Sequence, residues 1–272
     1  MPEGHTIHRL ARDLSRDLKG RTVRASSPQG RFAEGAALID GLTLRRADAY
    51  GKHLFQRFDG GPILHVHLGL IGKWKRSAAP IAAPVGEVRL RLVGADAAWD
   101  LSGPTVCGVV TDDDMHRTIE RLGPDPLRRD ADPERFVRRV RKSDRPIGAL
   151  LLDQGVVAGI GNVYRAEVLF LHGIHPETPG NALTDDDVRA LWSELVAQLR
   201  DGVRRNRIVT LRPEDRPRSI AGLDRADAVY AYHQEVCRRC GSPIELLSVA
   251  GRRIDACPSC QPRRSALAPA SR

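Results

Sequence analysis

Four of the five cysteines in this 272-residue chain form one cluster near its C-terminal end: Cys237, Cys240, Cys257 and Cys260, spaced C-x2-C-x16-C-x2-C. Four thiolates at this spacing close a tetrahedral site around one Zn²⁺. The N-terminus, Met1-Pro2-Glu3-Gly4-His5, lacks the basic-then-apolar layout of a secretory signal, so paired CxxC units point to a metal in a reducing compartment and not to disulfides. Four cysteine ligands leave no open coordination position, which makes the expected zinc structural and not catalytic. Pro243, Gly251 and the β-prone residues between them predict a hairpin joining the two knuckles. Cys107 stands apart.

Charge gives the cluster a context. The chain has 43 basic and 34 acidic residues, a net +9. Residues 203–272 alone hold 14 arginines, no lysine and 7 acidic residues. Such a balance favours an anionic partner such as nucleic acid. Arg238, Arg239, Arg252 and Arg253 flank the cysteines. Zinc with four thiolates carries a charge of −2, which two arginines would neutralise; the surplus is expected to face phosphate. No apolar run is long enough for a membrane span. A cytoplasmic, nucleoid-associated protein with no membrane partner is therefore expected.

The hydrophobic period changes along the chain. Residues 3–19 read as an amphipathic helix, with Ile7, Leu10, Ala11, Leu14 and Leu18 on one face and Gly20 as the stop; Pro2 and Glu3 suit its first turn. Residues 21–110 alternate in short runs punctuated by glycine and proline, as a sandwich or barrel would; 87–93 is the cleanest strand, and 77–86 reads as a loop. From about residue 112, helices are expected at 115–122, 133–141, 147–153, 162–172 and 185–203. Residues 204–228 read as a mobile basic loop. The expected fold is α+β. Residues 1–120 form an N-terminal helix plus β-sandwich, 121–228 a helical domain and 229–262 the zinc finger, with a disordered tail at 263–272; the main boundary falls at about 111–130.

The N-terminus carries a second chemistry. Met1 is expected to be removed before the small Pro2, exposing a secondary amine. An α-amine titrates roughly near 8, far below lysine, and the positive end of a helix dipole lowers it further. An amine neutral near pH 7 is a nucleophile towards an aldehyde-like carbon. Glu3 lies beside it as a candidate acid/base. Pro-then-Glu is also a plain helix start, so pattern alone leaves both readings open.

Read together, the motifs decide more. In order come Met1-Pro2-Glu3-Gly4, Gly51-Lys52-His53-Leu54-Phe55, His67-Leu68-Gly69-Leu70, Gly148 to Gln154, Gly159-Ile160-Gly161-Asn162-Val163-Tyr164, and the four-cysteine finger. The chain resembles the formamidopyrimidine-DNA glycosylase/endonuclease VIII family over about residues 1–262, and most of all the endonuclease VIII branch of actinobacteria. The resemblance implies a helix-two-turns-helix element in the second domain and a bifunctional enzyme of base excision repair. That enzyme flips a damaged nucleotide into a cleft between the N-terminal β-rich domain and the C-terminal helical-plus-finger domain. It forms a Schiff base on Pro2 and cuts the strand by β,δ-elimination.

Residue by residue, Pro2 matches the nucleophile, Glu3 the acid/base residue and Lys52 a strand lysine that supports catalysis and contacts phosphate. Asn162, expected to cap a helix after the Gly159–Gly161 turn, matches a phosphate contact, as do Arg252 of the finger, Tyr230 and His67. Leu70 falls in the loop that fills the gap left by the flipped base. Cys237, Cys240, Cys257 and Cys260 hold zinc, and no other cofactor is implied. The expected partner is damaged double-stranded DNA, bound by a monomer, with oxidised pyrimidines favoured. Three departures are visible. Thr6 stands where many relatives carry a second acid, Gly69 and Ile71 flank Leu70 where others have larger or polar groups, and Val236 replaces a common proline. A non-catalytic zinc-finger DNA-binding protein on this scaffold, a glycosylase preferring oxidised purines, and an RNA-binding zinc protein are the competing readings. Few aromatics, 4% of the chain, argue against the last, which would need base-stacking platforms.

Overall fold

The computed structural model describes residues 2–219 and 222–263. The expected tail lies outside the described residues apart from Arg263, as does Met1. The chain divides into two compact units, Met1–Arg121 and Leu122–Arg272.

The first unit is a helix-backed sandwich. It comprises α1 (Gly4–Leu18), β1 (Arg24–Ser26), α2 (Ala33–Ile39), β2 (Leu44–Tyr50), β3 (His53–Phe58), β4 (Ile63–His67), β5 (Lys73–Ala78), β6 (Leu90–Val93), β7 (Ala97–Ser102), β8 (Val106–Val110) and α3 (Asp112–Glu120). Two antiparallel four-stranded sheets form, in the orders β1-β6-β7-β5 and β2-β3-β4-β8. Their facing sides share one core. Leu54, Phe58, Leu64 and Val66 come from one sheet, Leu90, Leu92, Trp99 and Leu101 from the other, and Ile7, Leu14 and Leu18 from α1. The alternation of β3 and β4 sends Phe55 and Ile63 to the opposite side, where Met115 and Ile119 of α3 cover them.

The second unit contains α4 (Pro133–Arg141), α5 (Ile147–Leu152), α6 (Asn162–Leu171), α7 (Asp185–Arg205) and the hairpin β9 (Glu245–Val249) and β10 (Arg252–Ala256). Residues with caps fix the helix starts. Asp132 accepts Glu134 N–H with Pro133 at the first helical position, and Thr184 with Asp187 forms a reciprocal capping box. Phe136, Leu150, Leu151, Tyr164, Leu169, Leu191 and Leu195 build the core, which Val249 and Ile254 of the hairpin complete.

Three local readings change. Pro2 and Glu3 precede the first turn of α1: Glu3 is its N-cap, in extended conformation and without a side-chain cap bond. Helix α2 falls in a stretch read as strands; seven residues with only Ala36 and Ile39 buried show no helical period. The strand expected at 87–93 is regular only from Leu90.

Candidate active site and nucleic-acid grip

The first unit holds the N-terminal pair. Glu3 is fully buried, and its carbonyl accepts Thr6 N–H at 2.9 Å. His5, two residues on, is buried too, and burial pushes its imidazole down to about 4. Lys52 was read as a strand residue, but it sits with Gly51 in the two-residue turn between β2 and β3, where Tyr50 faces His53. Gly51 has φ +56. A tight hairpin of this length needs a left-handed residue there, and glycine adopts it without strain.

Three histidines cross the outer face of the same sheet. His53 Nδ1 lies 2.9 Å from His65 Nε2, and the His53 and His67 rings are 4.9 Å apart. Burial, then the neighbouring His65, His67 and Lys52, hold His53 down to about 3; burial and His67 hold His65 at about 4. His67 is lowered by burial and by Lys52. Its Nδ1 accepts Gly69 N–H at 3.1 Å, which places the ring proton of the neutral imidazole on Nε2.

The β4–β5 turn follows. Gly69 has φ +66, and a Cβ there would sit on Thr105 Oγ1; a Cβ on Gly72 would sit on the Leu68 carbonyl. The tight turn leaves Leu70 64% and Ile71 82% exposed. Sequence reasoning singled out Leu70 and treated Ile71 as a departure, yet both side chains stand out of the fold.

In the second unit the Gly159–Gly161 turn leads into α6. Gly161, not Asn162, is the N-cap; Asn162 is the first helical residue. The expectation of an asparagine cap fails because its Oδ1 accepts from Arg165 Nη2 at 3.2 Å. Gln154 braces the turn. Its Nε2 donates to the Leu152 and Ile160 carbonyls, and its Oε1 accepts Gly159 N–H. Glu167, fully buried, accepts the backbone N–H groups of Tyr230, Ala231 and Tyr232 at 2.7 to 2.8 Å and the Thr210 hydroxyl at 2.5 Å. Burial pushes its carboxyl up, and these four hydrogen bonds pull the other way. Gln154, Arg165 and Glu167 were not assigned roles from sequence. Their signal was present only as polar residues inside otherwise apolar stretches.

The cysteines converge. Their Sγ atoms all lie within 4.8 Å of one another, with Cys237–Cys260 at 3.8 Å and Cys240–Cys257 at 3.5 Å. Sulfurs about 2.3 Å from a tetrahedral ion would stand about 3.8 Å apart, so the donor set fits a metal. Of the four flanking arginines, Arg238 pairs with Asp227, Arg253 pairs with Asp255, and Arg239 stacks over Phe170 at 4.8 Å and Tyr230 at 5.8 Å. Arg252 alone of the four has no partner among the described residues. It is exposed at the start of β10, directly after a turn in which Ala250 and Gly251 both have positive φ. Tyr230 is buried; its hydroxyl accepts Arg212 N–H, donates to Asp215 and is pushed up to about 12 by burial and that carboxylate. No helix among the described residues is long and apolar enough to cross a membrane.

Comparison with known proteins gives consistent matches. Residues 1–101 match the formamidopyrimidine-DNA glycosylase N-terminal domain, and residues 122–212 match its H2TH domain. The chain is 47% identical to endonuclease 8 1 of Mycobacterium tuberculosis, over 96% of this chain and all of that protein. It is 32% identical to the formamidopyrimidine-DNA glycosylase of Thermus thermophilus, over 96% and 97%. Lactococcus lactis formamidopyrimidine-DNA glycosylase, bound non-covalently to DNA containing an abasic site, superposes with a TM-score of 0.77 at 26% identity, covering 96% of this chain and all of that one. With both family domains in order and near-complete coverage at 47% identity, the chain belongs to the formamidopyrimidine-DNA glycosylase/endonuclease VIII family of DNA glycosylases.

Proposed function

We propose that the chain is a bifunctional DNA glycosylase and abasic-site lyase that removes oxidised bases, pyrimidines first, from damaged double-stranded DNA. The observation that carries this reading is the pairing of Pro2 with a fully buried Glu3 carboxyl at the N-terminal end of a 15-residue helix. The buried carboxyl lies next in sequence to the Pro2 amine as a candidate proton donor, and an α-amine is a far weaker base than a lysine.

Once Met1 is removed, the Pro2 nitrogen attacks C1′ and the glycosidic bond breaks; the amine gives up its N–H proton, regaining its lone pair, and the base leaves protonated. Glu3 delivers a proton to the ring oxygen as the sugar opens, and the nitrogen lone pair completes the iminium. That cation acidifies the C2′ proton, whose loss expels the 3′ phosphate; a second elimination expels the 5′ phosphate. Lys52 and His67, the latter as an Nε2–H donor, hold phosphate beside this chemistry. Leu70 and Ile71 fill the space vacated by the flipped nucleotide; an apolar wedge suits an unstacked base step. Asn162 and Arg252 bind backbone phosphate in the second unit, Tyr230 buttresses that grip by fixing the Arg212–Asp215 segment, and the four cysteines hold a structural Zn²⁺. The protein acts as a monomer in the bacterial cytoplasm, on the nucleoid.

Borohydride trapping tests the reading. Protein with verified Met1 removal should form a covalent adduct with abasic and oxidised-pyrimidine duplexes. Glu3→Gln should slow excision by about 100-fold or more, the scale of a lost general acid. No adduct from the processed protein sinks the lyase assignment. Faster release from oxidised purines than from pyrimidines sinks the lesion preference alone.

A further inference from the structure

Arg165 is among the largest fully buried side chains described, at 0% exposure. It donates from Nη1 to the Gly148 carbonyl at 3.1 Å on α5, and from Nη2 to Asn162 Oδ1 at 3.2 Å on α6 and to the Arg253 carbonyl at 2.7 Å on β10. One cation therefore ties both helices around the glycine turn to the zinc hairpin. Among the described residues strand β10 pairs only with β9, and the Arg253 carbonyl is bonded by the Arg165 side chain.

Two consequences follow from the chemistry of guanidinium. Arginine is a donor without acceptors, so the Asn162 atom facing it must be the carbonyl oxygen. The amide then turns its two N–H donors the other way, which is the orientation a phosphate oxygen requires. The same guanidinium fixes the backbone at Arg253, one residue from Arg252. A planar fork with fixed donor directions can hold three acceptors on three elements; an ammonium group on a flexible stem cannot reproduce that geometry.

We propose that Arg165 is a positioning residue that couples the Asn162 amide to Arg252, so that the glycine turn and the finger engage phosphate as one unit. The inference rests on the reading that Asn162 and Arg252 contact phosphate.

A double-variant cycle tests it, with affinity for a duplex carrying a tetrahydrofuran abasic analogue as the readout at several salt concentrations. Asn162→Ala and Arg252→Ala should each weaken binding. Their combination should depart from the product of the single effects by at least about threefold, the range of coupled neighbours. In an Arg165→Lys background, which retains the charge, the same cycle should become multiplicative. Leu150→Ala, which loosens the same core without touching these hydrogen bonds, should leave the coupling in place. Single variants without effect would overturn the phosphate reading itself. Single effects that multiply in the Arg165 protein, or coupling that survives Arg165→Lys, would overturn the positioning role. Because the first cycle leaves Arg165 intact, a poorly folding Arg165→Lys protein does not rescue the proposal.

Discussion

At the scale of single residues, partnership separates arginines that sequence treats alike. Arg238, Arg239, Arg252 and Arg253 are indistinguishable by composition. Asp227, Asp255 and the Phe170–Tyr230 stack occupy three of them. An exposed cation without a carboxylate neighbour can condense onto phosphate and release a counterion; a paired one must first give up its partner. Arg252→Ala is therefore expected to lower the slope of log affinity against log salt by about one unit, measured by titration between low and physiological salt. Arg253→Ala should change that slope by much less, and equal effects would show that pairing does not set the division of labour. Lys52 illustrates the opposite case. Gly51-Lys52-His53 was visible in the sequence, but the two-residue turn that carries Lys52 off the strand follows from register, which no local pattern states.

At the scale of elements, the β2-β3-β4-β8 sheet sets a pH dependence. His53 and His65 sit on adjacent strands with their imidazoles held to about 3 and about 4, and His5 of α1 is held to about 4. An unfolded histidine titrates near 6.5. Between these values the unfolded chain binds protons that the folded one refuses, so stability is present above about pH 6.5 and is lost as pH falls towards 4. Melting temperature should thus fall over that window, and His53→Gln together with His65→Gln should flatten the fall. A double variant with the wild-type pH profile would place the acid sensitivity elsewhere. The sequence showed the strands here but not the histidine face. Alternation told inside from outside; which outside positions would meet α3, and which each other, depends on strand pairing across 12 residues or more. Helix α2 was missed for a different reason, being too short to display a period.

At the scale of the whole molecule, the proposed division between chemistry and grip starts from two local signals, a proline directly after Met1 and a cysteine cluster near the C-terminal end. The couplings have no such signal. Arg165, Gln154 and Glu167 act by reaching carbonyls and amides that lie as far as 88 residues away, and nothing in a linear pattern marks such a bond. Those couplings decide what metal loss does. Besides the four thiolates, the finger is held by Gln261, which accepts Cys257 N–H at 3.0 Å and donates to the Ile174 carbonyl at 2.9 Å, by Arg239 on Phe170, and by Arg165 on Arg253. Chelation removes the thiolate clamp, and small metal modules lose their fold with the ion. The second unit should then lose affinity, while Pro2 and Glu3, both in the first unit, keep their surroundings. We therefore expect chelated protein to bind abasic duplex more weakly by about tenfold or more, to trap at a rate within about threefold of untreated protein once DNA is saturating, and to recover affinity on adding Zn²⁺. That pattern follows from losing an interaction made equally before and during the reaction. Unchanged affinity with a collapsed limiting rate would mean that the metal supports the chemistry directly, and the separation of the two roles would have to be abandoned.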